Sequence, residues 1–162
     1  MRIFVSHSTV DQSIAAALQT LFNHTFGEEN ISLTFSSDEE EGGGIPVGKD
    51  WLDWITDNIR QADSTLVLVT PNSVNSPWVM WESGLATGVG LGGTEDRRIV
   101  PVVFGVRDDK IPSPFNAVQF VQGDAHGIAK LLRDVKQLFQ KQGTPFGRSK
   151  RASKYTSPSS WP

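Results

Sequence analysis

Residues 64–86 read STLVLVTPNSVNSPWVMWESGLA and contain a strand followed directly by a helix. Residues 66–69 are apolar without polar alternation, which is typical of a strand covered on both faces, and Pro71 ends the run. Ser76 is a favourable N-cap, and Pro77 fits the first helical position because its missing N–H costs nothing there. The stretch therefore predicts one strand–helix unit of an α/β fold.

The rest of the chain repeats this alternation of strand and helix. Apolar runs predict buried strands over residues 2–6 and 99–106, alternation predicts a strand nearer the sheet edge over 31–35, and residues 117–121 are a weaker edge candidate. Helical spacing of apolar residues predicts helices over 10–24, 51–62 and 128–139, besides the helix that begins at Pro77. The order predicts an α/β fold in which helices flank a parallel sheet.

Length and composition indicate one ordinary domain. The chain has 162 residues, a mass of 17.8 kDa and 38% hydrophobic residues, enough for a single core. It has neither an apolar run of about 20 residues nor a charged-then-apolar leader, so we expect no membrane contact and a cytoplasmic location. The absence of cysteine excludes disulfides, thiolate metal sites and a cysteine nucleophile.

Charge is distributed unevenly along the chain, whose formal net charge is -3. All 18 acidic residues precede residue 142, whereas four of the 15 basic residues lie after it. An acidic body argues against nucleic acid as a partner. The segment after residue 141 is rich in Gly, Pro, Ser and Thr and cannot bury a core, so we predict a domain over 1–141 and a flexible basic tail or linker over 142–162.

The helix that begins at Pro77 carries a carboxylate beside two indoles. Trp78, Trp81 and Glu82 are spaced three and four residues apart, which places them on neighbouring strips of one helix face. Ligands bind at the carboxyl ends of parallel strands, where Ser6, His7 and Ser8 also fall, so a pocket there would contain an ionised carboxylate, hydroxyls, an imidazole and indoles. The spacing is equally compatible with core indoles and a solvated acid.

Small residues follow this acid at positions 84, 86, 88 and 90. Glycine and alanine permit close approach of another backbone, and we expect them to pack against a neighbouring element.

Several other motifs resemble nucleotide-binding, hydrolase or metal sites, but the surrounding sequence argues against each of them. The glycine-rich segment 43–49 lacks the Ser or Thr that a phosphate-binding loop needs after its lysine, and four acids at 38–41 precede it. The glycine pattern at 88–93 follows a helix, whereas a dinucleotide fingerprint must follow a strand. Ser6 and His7 are neighbours in an extended segment and point to opposite faces, which argues against a Ser/His hydrolase site. The three histidines lack zinc-ligand spacing, so we predict no metal site.

Three segments, in this order, resemble the TIR (Toll/interleukin-1 receptor) domain and particularly its prokaryotic members: IFVSHS at 3–8, LVLVTPNS at 66–73, and SPWVMWE at 76–82. The resemblance covers about residues 1–141. It implies a flavodoxin-like three-layer fold with a central five-stranded parallel sheet. It also implies self-association through surfaces that include the loop from Ser36 to Gly48.

Some TIR domains are adaptors, and others hydrolyse NAD+ with release of nicotinamide. In the enzymes a glutamate follows the third strand in a Trp-x-x-x-Glu pattern, often with an aromatic residue directly before it, and this chain has all three features. The resemblance thus implies that Glu82 is catalytic and that NAD+ is the substrate, with no further cofactor. It implies substrate contacts for the following residues, the last four on looser matches: Trp78, Trp81, His7, Ser8, Lys49 and Trp51.

The chain departs from animal TIR domains, whose loop carries a charged pair before Pro-Gly where this sequence has GIPVG at 44–48. The resemblance to prokaryotic members implies a cell-killing effector of anti-phage defence, activated by assembly and coupled through its tail to a sensor. Two alternatives stay open, a non-catalytic TIR scaffold and a nucleoside deoxyribosyltransferase-like enzyme with a catalytic glutamate.

Overall fold

A computed structural model describes residues 1–36, 48, 50–92 and 98–143 of the chain. Within these residues, five parallel strands form one sheet in the order β2-β1-β3-β4-β5. The strands are β1 (Arg2–Ser6), β2 (Ser32–Thr34), β3 (Ser64–Val69), β4 (Arg98–Val103) and β5 (Val121–Gln122). The predicted five-stranded parallel α/β fold is confirmed, with β2 at a sheet edge as expected.

Four helices connect or follow these strands in the part of the chain that the structure describes: α1 (Gln12–Phe26), α2 (Trp51–Gln61), α3 (Pro77–Gly92) and α4 (Ala125–Gly143). The Ser76 hydroxyl accepts the Val79 N–H at 3.4 Å, and Asp50 caps α2 by accepting the Leu52 and Asp53 N–H groups at 2.9 and 3.1 Å. The predicted start of α3 at Pro77 is confirmed.

Several predicted boundaries are wrong. β4 ends at Val103 instead of 106, and α4 extends beyond the predicted 128–139 at both ends. The strand predicted over 117–121 begins only at Val121, because Phe115–Ala117 forms a 3₁₀ turn whose phenyl ring is buried. The first helix begins at Gln12 after a 3₁₀ turn over Thr9–Asp11. In these last two places a buried side chain anchors a turn, which periodicity alone cannot distinguish from the adjoining element.

Three layers result because alternate residues of each strand face opposite helix pairs. On one face, Ile3 and Val5 join a core cluster with side chains of α1 and α4. On the other, Phe4 packs with α2 and α3, and Val67 and Val69 pack with Val79 of α3. This alternation decides which side chains of β1 can reach α3.

The expected packing of the small residues occurs at Ala86, which lies in the core cluster with Phe4 and α2, but not at Gly84 and Gly88. A Cβ atom added at either position would find no heavy atom within 4 Å, and both residues are exposed. The buried side of α3 is instead formed by Val79, Glu82 and Ala86, at spacings of three and four, so the two glycines lie on the solvent face.

Among the described helices, none combines the length and the apolar character needed to cross a membrane.

Candidate active site

Glu82 lies in the second turn of α3 and faces the sheet with 1% of its surface exposed. The Trp78 indole Nε1–H, one turn earlier, donates to Glu82 Oε1 at 2.8 Å. The Ser6 hydroxyl, at the end of β1, donates to Glu82 Oε2. Each carboxylate oxygen is therefore held by one donor, one from the same helix and one from the sheet.

Burial raises the pKa of the Glu82 carboxyl to about 7, and the hydrogen bonds from Ser6 and Trp78 oppose this rise. The alternative interpretation of Glu82 as a solvated helix acid is wrong. The reason is the orientation of α3, which turns position 82 inward with Val79 and Ala86. Near pH 7 the group exists in both protonation states.

Three indoles form a stack beside this carboxyl group. Trp78 lies in the middle, with Trp51 on one side at a ring-centroid distance of 4.0 Å and Trp81 on the other at 4.8 Å. The interplanar angles are 25° and 27°, which are those of stacked rings. Trp51 is 45% and Trp81 38% exposed, so Trp81 is not the core residue that the spacing allowed. A flat heteroaromatic or cationic ring is the ligand that such a surface suits.

His7 directly follows β1, and its side chain lies on the other side of the sheet. Its Nδ1 is 3.4 Å from the Val5 carbonyl oxygen, and its ring meets the Phe35 ring edge-on at 5.4 Å, within the cluster that packs against α1. Burial lowers the pKa of His7. The expected pocket that combines imidazole and carboxylate is thus divided by the sheet, with Ser6 on the α3 side and His7 on the α1 side.

Two predicted residues remain, Ser8 and Lys49. Ser8 is half-buried, and its carbonyl accepts the Asp11 N–H at 2.8 Å in the turn before α1. Lys49 lies outside the described residues, as does the loop from Ser36 to Gly48 apart from its two end residues.

A buried polar network, which the sequence analysis missed, joins the ends of β1 and β3. The Asp11 carboxylate accepts the Thr70 hydroxyl at 2.7 Å and the Asn72 side-chain amide at 2.8 Å, with 4% of Asp11 exposed. It ties the turn before α1 to the turn before α3. A sequence signal existed in the Thr-Pro-Asn-Ser run at 70–73, which is typical of a turn with side-chain hydrogen bonds.

A cavity of about 240 Å³ lies elsewhere, between β3, β4, β5 and α4. Its lining includes Ser64, Arg98 and Val121, the first residues of three strands. Ligands of parallel sheets bind at the opposite, carboxyl end, where Glu82 lies. Among the described residues, no group of histidine and acidic side chains is placed to hold a metal ion.

The family model of the TIR domain matches residues 3–132. The chain belongs to the TIR domain family. Among curated proteins, a sequence search found no match to this TIR domain. The family and the observed sheet together confirm the predicted fold, which places Glu82 at the carboxyl edge of a TIR domain.

Solved structures support the same fold. The TIR domain of the Toll-related receptor TRR-2 from Hydra magnipapillata matches with a TM-score of 0.62 and 10% identity, covering 85% of this chain and 97% of that one. A prokaryotic SEFIR domain matches at 0.54 and 18% identity, over 85% and 97%. The TIR-STING receptor of C. gigas matches at 0.51 and 17% identity, over 85% of this chain and 38% of the receptor. Identities this low show the fold alone.

Proposed function

We propose that this TIR domain cleaves the N-glycosidic bond between ribose and nicotinamide in NAD+, giving ADP-ribose or a cyclic isomer of it. The observation that carries the proposal is the Glu82 carboxyl group, held at both oxygens and bordered by the stack of Trp51, Trp78 and Trp81.

One carboxylate suffices for this reaction. Nicotinamide leaves as a neutral molecule from a cationic substrate, so no acid has to protonate the leaving group. The ribosyl centre becomes positively charged as the bond breaks, and a carboxylate stabilises that charge or traps it covalently, as in glycoside hydrolysis. Glu82 performs this role in the proposal.

The raised pKa of Glu82 fits a cationic substrate. In the free protein the carboxyl group is partly protonated near pH 7. A positive pyridinium ring within a few ångströms lowers the pKa of a carboxyl group, so bound NAD+ favours the ionised form that the reaction requires. A neutral ligand of the same shape lacks this effect.

Substrate has to reach a side chain that is 1% exposed. The exposed faces of the stack, at Trp51 and Trp81, are the accessible aromatic surfaces beside Glu82. The proposal therefore assigns stacking of the nicotinamide or adenine ring to these indoles, and it includes a local rearrangement that uncovers the carboxylate.

The cellular role belongs to the same proposal. The resemblance to prokaryotic TIR effectors supports a cytoplasmic, anti-phage NAD+ hydrolase that self-associates through surfaces including the Ser36 to Gly48 loop. The basic segment 142–162 then links the domain to a sensor. NAD+ is the substrate in this scheme, and no further cofactor takes part.

The test is nicotinamide release from NAD+, measured by liquid chromatography with protein at high concentration. Glu82→Gln keeps the size of the side chain and removes its charge, and we expect at least about a 10²-fold loss of rate. Glu28→Gln is the matched control, because it makes the same change at an exposed position in the turn after α1. Circular dichroism verifies that all three proteins are folded.

Equal rates in the parent and Glu82→Gln proteins would contradict the proposal. Absence of release in both, even under crowding, would favour the non-catalytic scaffold. Base exchange between added deoxynucleosides, without nicotinamide release, would favour the deoxyribosyltransferase-like enzyme.

A further inference from the structure

Ser6 is the last residue of β1, and its side chain carries a hydroxyl group. Within β1 it follows Ile3, Phe4 and Val5, and like Phe4 it faces the layer formed by α2 and α3. It is 0% exposed, so water does not satisfy its hydroxyl. A buried hydroxyl without a partner is costly, and the partner found here is Glu82 Oε2.

The two donors to Glu82 hold it in different ways. Trp78 is four residues earlier on α3 and moves with Glu82 when the helix moves. Ser6 is 76 residues away and belongs to β1, beside the middle strand of the sheet. With the Trp78 bond alone, the terminal torsion of the glutamate could still turn, whereas a second donor from the sheet fixes the plane of the carboxyl group.

The two donors also differ in chemistry. An indole N–H can only donate, whereas a serine hydroxyl can donate or accept. When Glu82 is ionised, Ser6 donates to Oε2. When Glu82 is protonated, a proton on Oε2 preserves both contacts best, because the hydroxyl then accepts that proton and Trp78 still donates to Oε1 as a carbonyl oxygen, which accepts better than a protonated one.

We propose that Ser6 is a positioning residue, whose hydroxyl orients the Glu82 carboxyl group against the sheet and makes Oε2 the oxygen that gains and loses the proton. Oε1 stays unprotonated in both states. The catalytic consequence rests on the proposed function, whereas the titration of Glu82 does not.

No charged group of the described residues is among the causes of the shifted Glu82 pKa. β3 contains no ionisable residue, and the ionisable residue of β4, Arg98, lies exposed at its start. α2 carries Asp53, Asp57 and Arg60, but the shift in the Glu82 pKa comes from burial, Ser6 and Trp78. The Ser6 bond favours the ionised form.

The first experiment titrates Glu82 without substrate. Chemical denaturation between pH 5 and 9 is compared for the parent protein, Ser6→Ala, and each of them combined with Glu82→Gln. The stability difference within each pair reports the ionisation of Glu82, and we expect Ser6→Ala to move its midpoint upward by about one pH unit or more. An unchanged midpoint would overturn the inference.

Ser83→Ala is the matched control. Ser83 is buried next to Glu82 on α3, but its hydroxyl donates to the Val79 carbonyl of its own helix at 2.6 Å. Its removal leaves the Glu82 midpoint in place; a shift as large as that of Ser6→Ala would overturn the specific role of Ser6. Ser6→Cys keeps nearly the same volume with a weaker donor, and it moves the midpoint in the same direction if Ser6→Ala fails to fold.

The second experiment measures nicotinamide release against pH. Ser6→Ala moves the acid limb of kcat/KM to higher pH by the same amount as the titration, so its rate deficit shrinks as the pH rises. A loss of equal size at every pH is the result of a purely structural change and would overturn the positioning role. If no protein releases nicotinamide, the proposed function fails, and the denaturation experiment still decides the role of Ser6.

Discussion

Glu82 is the buried carboxyl group to which the proposed activity assigns the chemical step. A carboxyl group that is 1% exposed and has no cation among the causes of its shifted pKa is expensive to ionise. Burial of this kind is common for groups whose protonation state matters to function. The hydrogen bonds from Ser6 and Trp78 recover part of the cost and define the geometry of the group.

We predict that Glu82 lowers stability as the pH rises. The pKa is about 7 in the folded protein and about 4.5 when unfolded, so the folded state binds the extra proton between these values. Stability from this group is complete below about pH 4.5 and is lost by about pH 7, for a total of about 3 kcal/mol. The free energy of unfolding of Glu82→Gln minus that of the parent is therefore larger at pH 8 than at pH 4.5. Urea denaturation at both pH values checks this, and a pH-independent difference would contradict it.

The same ionisation predicts a pH profile for activity. kcat/KM reports the free protein, so nicotinamide release should rise through about pH 7. kcat reports the NAD+ complex, where the cationic ring favours the carboxylate, so its midpoint lies at lower pH. Initial rates from pH 5 to 9 at low and saturating NAD+ separate the two profiles. A midpoint of kcat above that of kcat/KM would be inconsistent with this electrostatic effect.

Trp81 should act on substrate rather than on chemistry. Its ring is 38% exposed and stacks on Trp78, but it gives no hydrogen bond to Glu82 in the described contacts. Trp81→Ala is expected to raise KM for NAD+ and to retain far more kcat than Glu82→Gln retains. Steady-state kinetics measures both constants. A kcat as low as that of Glu82→Gln would place Trp81 in the chemical step.

At the scale of elements, the two faces of α3 differ in what they contact. Its inner face carries Val79, Glu82 and Ala86, and its outer face carries Gly84 and Gly88. The outer glycines have no neighbour that requires them, although glycine weakens a helix interior. Their presence has no explanation in the contacts of the single chain.

Replacement of these glycines tests that conclusion. Gly84→Ala and Gly88→Ala should each stabilise the fold by about 0.5–1 kcal/mol, because an added methyl meets open space and alanine has the higher helix propensity. Thermal denaturation at a concentration where the protein is monomeric measures the change. Destabilisation by either substitution would restore the close contact that the sequence analysis expected.

At the scale of the whole molecule, helices α2 and α3 carry exposed apolar side chains, while the Glu82 carboxyl group of α3 is buried. Trp51 and Trp81, in the stack beside Glu82, are 45% and 38% exposed, and Leu52 and Leu91 of the same helices are 46% and 84% exposed, whereas Glu82 is covered. Large apolar side chains that remain exposed near a site are common at association surfaces. They agree with the proposal that assembly activates the domain.

Activity should then rise more steeply than in proportion to protein concentration. Assembly supplies contacts that can hold the indoles in the arrangement that admits NAD+, and such contacts form only at high concentration. Nicotinamide release per protomer is measured over a concentration series together with light scattering. A constant rate per protomer, with a monomer throughout, would remove assembly from the mechanism.

The sequence by itself determined the order of elements and the membership of Glu82, Trp78 and Trp81 in one helix. These features are local, because apolar runs, a Ser-Pro start and spacings of three and four residues have few conformations available. They were sufficient to predict the parallel α/β fold, and the resemblance of three segments to TIR domains predicted the family. They were insufficient for β5 and the turn at Phe115, where two short segments depend on what they pack against.

Only the tertiary structure decided that Glu82 is buried, that Ser6 and not His7 reaches it, and that Trp51 completes the stack. Each of these contacts joins segments far apart in the chain, such as Ser6 and Glu82 across 76 positions. Burial and pKa are properties of what surrounds a group, and its surroundings come from other elements. The sequence could therefore name the carboxylate, but its protonation and its partners were set by the docking of α3 onto the sheet.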